Sequence, residues 1–223
     1  MHIPDGLLTN EPTIGPAVAT TMWIISLTIL AWSWKKARST YSRSITALLA
    51  ISSAFVFSAQ MINFPIAAGT SGHLVGGTFL AVLLGPYAAM LSMTIVLLMQ
   101  AFFFADGGLL AFGMNVFNMA VVGGLSFFLV KLLTRRSIDK GTFAPAVFLA
   151  SWLSVVAGAV LAGVEIGAAN AGGIAFWVPA MFSWHAIIGL VEGAITVALV
   201  SGLRHFQLTI IGGLALLRGK EKT

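Results

Sequence analysis

The chain has 223 residues, 58% of them hydrophobic and only 9% charged, with a mean hydropathy of +0.98, which excludes an ordinary soluble domain and a disordered one. It has no cysteine, so disulfide frameworks, thiolate metal sites and thiol catalysis are excluded, and any metal must be held by nitrogen or oxygen. The pI near 10.0 does not point to nucleic acid, because all twelve Lys and Arg fall in three clusters beside hydrophobic stretches.

The chain opens Met1-His2-Ile3-Pro4-Asp5-Gly6, without the basic n-region and small-residue cleavage site of a signal peptide, so a mature terminus is expected as written. A free Met1 amine, the His2 backbone nitrogen and the His2 imidazole Nδ1 can close two fused chelate rings around one metal. Three nitrogens in a plane leave a fourth corner open. A second histidine there would complete a square-planar nitrogen site, which suits Ni(II), Cu(II) and Co(II) rather than Mg or Ca. The plainer alternative is a solvated, frayed terminus.

Apolar stretches near the roughly 20 residues needed to cross a bilayer predict an all-α polytopic membrane protein of about seven spans. They cover residues 16–34, 44–64, 73–85, 87–104, 109–130, 143–164 and 179–203. The third is a short half-helix turning at Gly85-Pro86, and such interruptions are tolerated where they line a polar cavity. Residues 63–73 and 165–178 read as Gly-rich loops or re-entrant segments. The whole forms one membrane domain: a metal-binding N-terminal loop (1–15), a helix bundle (16–203) and a cytoplasmic tail (204–223). Within the tail, residues 206–217 are too short to span.

Counting crossings puts the three basic clusters on one side. They are Lys35, Lys36, Arg38 and Arg43; Lys131, Arg135, Arg136 and Lys140; and Arg204, Arg218, Lys220 and Lys222. The positive-inside rule makes that side cytoplasmic and the N-terminus external. Asp5, Glu11, Asp106 and Glu165 then form an acidic outer face that concentrates cations.

His73 falls on that outer side and is the candidate for the fourth metal corner; the alternative is a loop histidine capping a helix. His185 and Glu192 share one face of the last span, and ionisable groups at membrane depth cost about 2.5–3.5 kcal/mol each. Glu192 is expected to accept hydrogen bonds inside the bundle, and His185 to orient the N-terminal segment or a ligand. A competing reading makes these two the working groups of a self-contained proton-linked transporter or membrane enzyme. Gln60, Asn63, Asp106, Asn115 and Asn118 either hold the inserted N-terminal loop or join helices. Gly72-x-x-x-Gly76, Gly163-x-x-x-Gly167 and Gly189-x-x-x-Gly193 permit close helix contact. No phosphate-binding loop or His-Glu-x-x-His signature is present, so any pumping draws its energy from a source other than ATP hydrolysis by this chain.

Four stretches together resemble the CbiM/NikM family: the opening hexapeptide, Asn63-Phe64-Pro65 through Gly69-Thr70-Ser71-Gly72-His73-Leu74, Phe103 to Leu110 with Asn115-Val116-Phe117-Asn118, and His185 through Ile188-Gly189 to Glu192-Gly193. These are the substrate-binding membrane subunits of energy-coupling-factor transporters for cobalt and nickel. The resemblance implies a seven-helix subunit whose N-terminal segment tucks into the bundle. It implies Ni2+ or Co2+ as transported substrate, no organic cofactor, and metal ligands Met1, His2 and His73. It also implies a membrane coupling subunit, two cytoplasmic ATPases and a small accessory membrane subunit as partners, within the plasma membrane of a prokaryote. Pro4-Asp5 is more similar to the nickel-type members.

Overall fold

The structure is a computed structural model describing residues 1–9, 13–41, 45–65, 70–134, 141–170 and 173–205, with Gly213 and Leu217. Glu11, Arg43, Arg135, Arg136, Lys140, Arg218, Lys220, Lys222 and most of the 206–217 segment lie outside the described residues, as do 66–69 and 171–172 of the Gly-rich loops.

A 3-10 turn, Asp5–Leu7, precedes α1 (Ile14–Thr40) and α2 (Ile45–Gln60). A small antiparallel hairpin of β1 (Asn63–Pro65) and β2 (Ser71–His73) follows, in the register Asn63↔His73 and Pro65↔Ser71. Next come α3 (Gly77–Leu84), α4 (Pro86–Phe104), α5 (Phe112–Asn115), a π-helical segment (Val116–Val121) and α6 (Val122–Leu133). Two long helices, α7 (Phe143–Ala169) and α8 (Gly173–His205), complete the fold. Five units are long and apolar enough to cross a bilayer: α1, α4, the continuous Phe112–Leu133, α7 and α8. The chain is a multi-pass membrane protein. Its outward faces carry large apolar side chains such as Ile51, Phe102, Phe103 and Ile187, whereas small and weakly polar residues such as Ser52, Ala89, Ala159 and Ala162 lie between helices.

The predicted half-helix is α3, eight residues long and buried throughout. It stops because Gly85 takes φ 84°, a left-handed value that favours glycine, and Pro86 then starts α4 at a position where its missing N–H costs nothing. The 63–73 segment is a hairpin rather than an irregular loop in its described part.

The hinge between the last two helices differs from the sequence expectation. Most of the 165–178 stretch is helical: α7 runs on to Ala169, and α8 begins at Gly173 with Pro179 inside it. The reason is close backbone packing. A side chain at Gly163 would collide with Trp177 and Val178, and one at Gly167 with Gly173 and Ile174, so the two helices pack closely along this stretch. Gly189 and Gly193 receive Trp152 and Phe148 of α7 in the same way. Gly72, by contrast, lies in β2, so the Gly72/Gly76 spacing is not a helix contact.

Candidate metal site

The first eight residues are folded inward. Met1, His2, Ile3 and Leu8 are at most 3% exposed, which rules out a frayed terminus. Asn115 grips the backbone of Ile3 with both ends of its amide: Ile3 N donates to Asn115 Oδ1 at 2.8 Å, and Asn115 Nδ2 donates to Ile3 O at 3.2 Å. Gly108 N also donates to Ile3 O at 3.0 Å. The Asp5 carboxylate accepts from Leu109 N and Ala111 N, both at 3.0 Å. Asn170 Nδ2 reaches Leu7 O at 3.2 Å. These bonds satisfy the backbone polar groups of an irregular segment that is largely buried. The Met1 side chain lies beside Gly158 of α7, where any Cβ would meet Met1 Sδ and the Asn118 carbonyl.

Three elements meet around His2. Its Nδ1 lies 2.7 Å from Asp106 Oδ1. Asp106 Oδ2 accepts from Asn63 Nδ2 at 3.3 Å, and the hairpin register pairs Asn63 with His73. The His2 and His73 rings have centroids 4.7 Å apart, tilted by 54°. His73 Nδ1 donates to Leu74 O at 2.8 Å, which fixes the tautomer and leaves a lone pair on Nε2. That Nε2 is buried and has no partner among the described residues, and the same holds for His2 Nε2.

The loop carrying His73 is anchored from below. Glu192 accepts from Val75 N at 2.5 Å and Gly76 N at 3.0 Å, placing a carboxylate on the open N–H groups at the start of α3. Gln60 Nε2 donates to Val75 O at 2.6 Å.

Burial keeps the nitrogens neutral. It pushes the Met1 amine down to about 5, although the Asp106 carboxylate opposes the shift. His2 is lowered, chiefly by burial, with Asp106 opposing and the terminal charge assisting. His73 is held well below the ordinary imidazole value by burial, then by the terminal amine, His2 and His185. Burial raises Asp106, but its contacts with His2, the amine and Asn63 outweigh this and leave its carboxyl below the usual range. An amine and two imidazoles therefore present lone pairs at neutral pH beside one carboxylate. Among the described residues, no group of three or more His, Asp or Glu side chains is arranged to hold a metal.

A family model described as "Cobalt uptake substrate-specific transmembrane region" (CbiM) matches residues 2–210. The chain belongs to the CbiM family. An Archaeoglobus fulgidus relative whose name denotes a fused nickel transport protein is 41% identical over 203 residues, covering 90% of this chain. The Fused nickel transport protein NikMN of Rhodobacter capsulatus is 36% identical over 92% of it. The chain spans 64% and 62% of the lengths of these two relatives. Cobalt transport protein CbiM of Lachnoclostridium phytofermentans is 30% identical, over 98% of this chain and 88% of that protein. The solved structure described as a truncated transition metal transporter superposes with a TM-score of 0.83 at 31% identity, over 92% of this chain and 99% of that one.

In this CbiM-family chain the fold brings together Met1, His2, Asp5, Asn63, His73, Asp106 and Asn115, and sets Gln60 and Glu192 beneath them. Asn118 does not hold the N-terminal segment by its amide, which donates to Glu165 Oε2 at 2.6 Å. Glu165 is not an exposed outer acid either; it lies in α7, 8% exposed, turned to Asn118 because a carboxylate inside the bundle needs a donor. Asp5 and Asp106 likewise spend their oxygens on the N-terminal segment and its surroundings, so the described acids build the wall of the site rather than an open funnel. His185 bonds its own helix, Nδ1 donating to Met181 O at 2.8 Å. Gln100 of α4, fully buried with neither amide atom partnered among the described residues, is a further polar group whose sequence signal is a single amide in an apolar run.

Proposed function

We propose that this chain is the capture subunit of an energy-coupling-factor importer. It binds Ni(II) or Co(II), with nickel favoured, in a square-planar nitrogen site at the outer face. The ligands are the Met1 amine, the His2 amide nitrogen and Nδ1, and His73 Nε2. Transfer inward is driven by two partner ATPases acting through a membrane coupling subunit, with a small accessory membrane subunit assisting, while this chain itself hydrolyses nothing.

The observation that carries this reading is the buried meeting of His2 and His73, with the His73 lone pair unpartnered and the Met1 amine held neutral. On binding, the cation replaces Asp106 at His2 Nδ1, and the carboxylate stays alongside to offset the charge. A deprotonated amide in a planar nitrogen field favours Ni(II). The relatives with nickel names, at 36–41% identity, lean the same way against 30–33% for three named for cobalt. Glu192 anchors the α3 loop with both oxygens, which supports a structural role for it over a proton-carrying one.

Calorimetry on the detergent-purified chain tests the reading. His2→Ala, His73→Ala and an N-terminal extension that blocks the amine should each abolish tight Ni(II) binding. Unchanged affinity in the extended protein would overturn it.

A further inference from the structure

His185 has no part in the plane of ligands just described, yet its ring has the same preparation as that of His73. Its Nδ1 donates to Met181 O at 2.8 Å, so the lone pair sits on Nε2. The residue is 0% exposed, and Nε2 has no partner among the described residues. A buried acceptor left without a donor is destabilising, so a helix retains one at a definite cost. The ring also lies within electrostatic range of both the Met1 amine and His73.

The pairing of α7 with α8 gives its level. Trp152 Nε1 donates to Ala186 O at 3.0 Å, and Gly163 packs on Trp177 and Val178. Gly158, which seats Met1 Sδ, lies between these two contacts on α7, so it is level with the α8 turn that ends at His185. His185 therefore stands at the depth of the Met1 side chain. Glu192, two turns further along α8, holds the loop that follows His73.

We infer that His185 Nε2 is a second nitrogen donor, which takes the fourth corner of the terminal chelate when the cation leaves His73. The inference rests on the capture function proposed above. Met1 and His2 keep hold of the cation through their three nitrogens while the imidazole opposite them changes from His73 to His185. No bond to the chain need break before another can form. The exchange leaves the hairpin without a ligand and transfers the load to α8.

Cu(II) is a suitable probe, because pulsed electron paramagnetic resonance counts the imidazoles bound to it. The full-length chain is compared with His73→Ala and with His73→Ala combined with His185→Ala or His185→Gln; unchanged elution and melting show that each variant folds. His73→Ala should retain weaker Cu(II) with two bound imidazoles, from His2 and His185. Either double variant should show one imidazole and bind about 10- to 100-fold more weakly than His73→Ala, the range that a supporting metal-site residue commands. One imidazole already in His73→Ala, with no further loss in the double variants, would overturn the inference and leave the capture reading standing. A wild-type protein without stoichiometric Cu(II) or Ni(II) would overturn the capture reading itself, and this inference with it.

Discussion

The neutral terminal amine makes a quantitative prediction about acid. In an exposed chain the group titrates near 8.0; here burial brings it to about 5. At pH 7 an exposed amine is about 90% protonated and must shed that proton to bind a metal, whereas the buried one is about 1% protonated. The two imidazoles, also lowered, add little. Only the His2 amide proton is then displaced near neutrality. The logarithm of the Ni(II) association constant should rise with pH by about 1 per unit between pH 6 and 8, and by about 2 per unit below pH 5, where the amine is charged before binding. Calorimetry in buffers of differing ionisation enthalpy should record about one proton released at pH 7. A slope or release near two at pH 7 would show that the amine is exposed and protonated, and would refute the inserted geometry. The same shift acts on the apo protein. The undocked amine binds a proton more readily than the docked one, so docking weakens by about 2 kcal/mol as pH falls from 7 to 5.

Asn115→Ala removes the partner of the Ile3 N–H while Gly108 still serves the carbonyl, so docking should weaken by about 1–3 kcal/mol. Limited proteolysis near Pro4 would detect it, and unchanged protection would count against the clamp. Gly158→Val forces a side chain onto Met1 Sδ and the Asn118 carbonyl, an overpacking of about 1–3 kcal/mol. Its Ni(II) affinity should drop although it touches no ligand atom, and wild-type affinity would contradict the Met1 placement. Glu192→Gln weakens the charge-assisted bonds to Val75 N and Gly76 N, and hydrogen exchange at those amides should speed up at least about tenfold. Unaltered exchange would mean that the carboxylate does not anchor the loop.

The hydrophobic runs and the Gly85-Pro86 break made the helix order readable from composition, because a bilayer imposes length and apolarity on each span. Met1 and His2 are readable as candidate ligands because terminal chelation depends on covalent spacing within one dipeptide, whereas the nearness of the His73 ring to His2 is a product of the fold. The wall of the site was less so. Asp5 and Asp106 read as acids of the outer face, but Asp5 accepts the main-chain N–H groups of Leu109 and Ala111 while Asp106 meets the His2 ring and the Asn63 amide, and such partnerships depend on which loops the fold brings together. Glu165 was misplaced because a Gly-rich stretch reads as a loop, while these glycines serve close helix packing that only a partner helix reveals. Gln100 and the choice of Asn118 as partner for Glu165 depend on helix rotation, which a low-contrast membrane sequence barely encodes.

The clamp on Ile3 also orders events in time. Residues 1–8 are synthesised before their partners Asn115, Gly158 and Asn170, which emerge only when most of the bundle has been made. The terminus must therefore wait, solvated and charged, until α7 is in place, and must lose its proton to enter. A stretch made early is seated late.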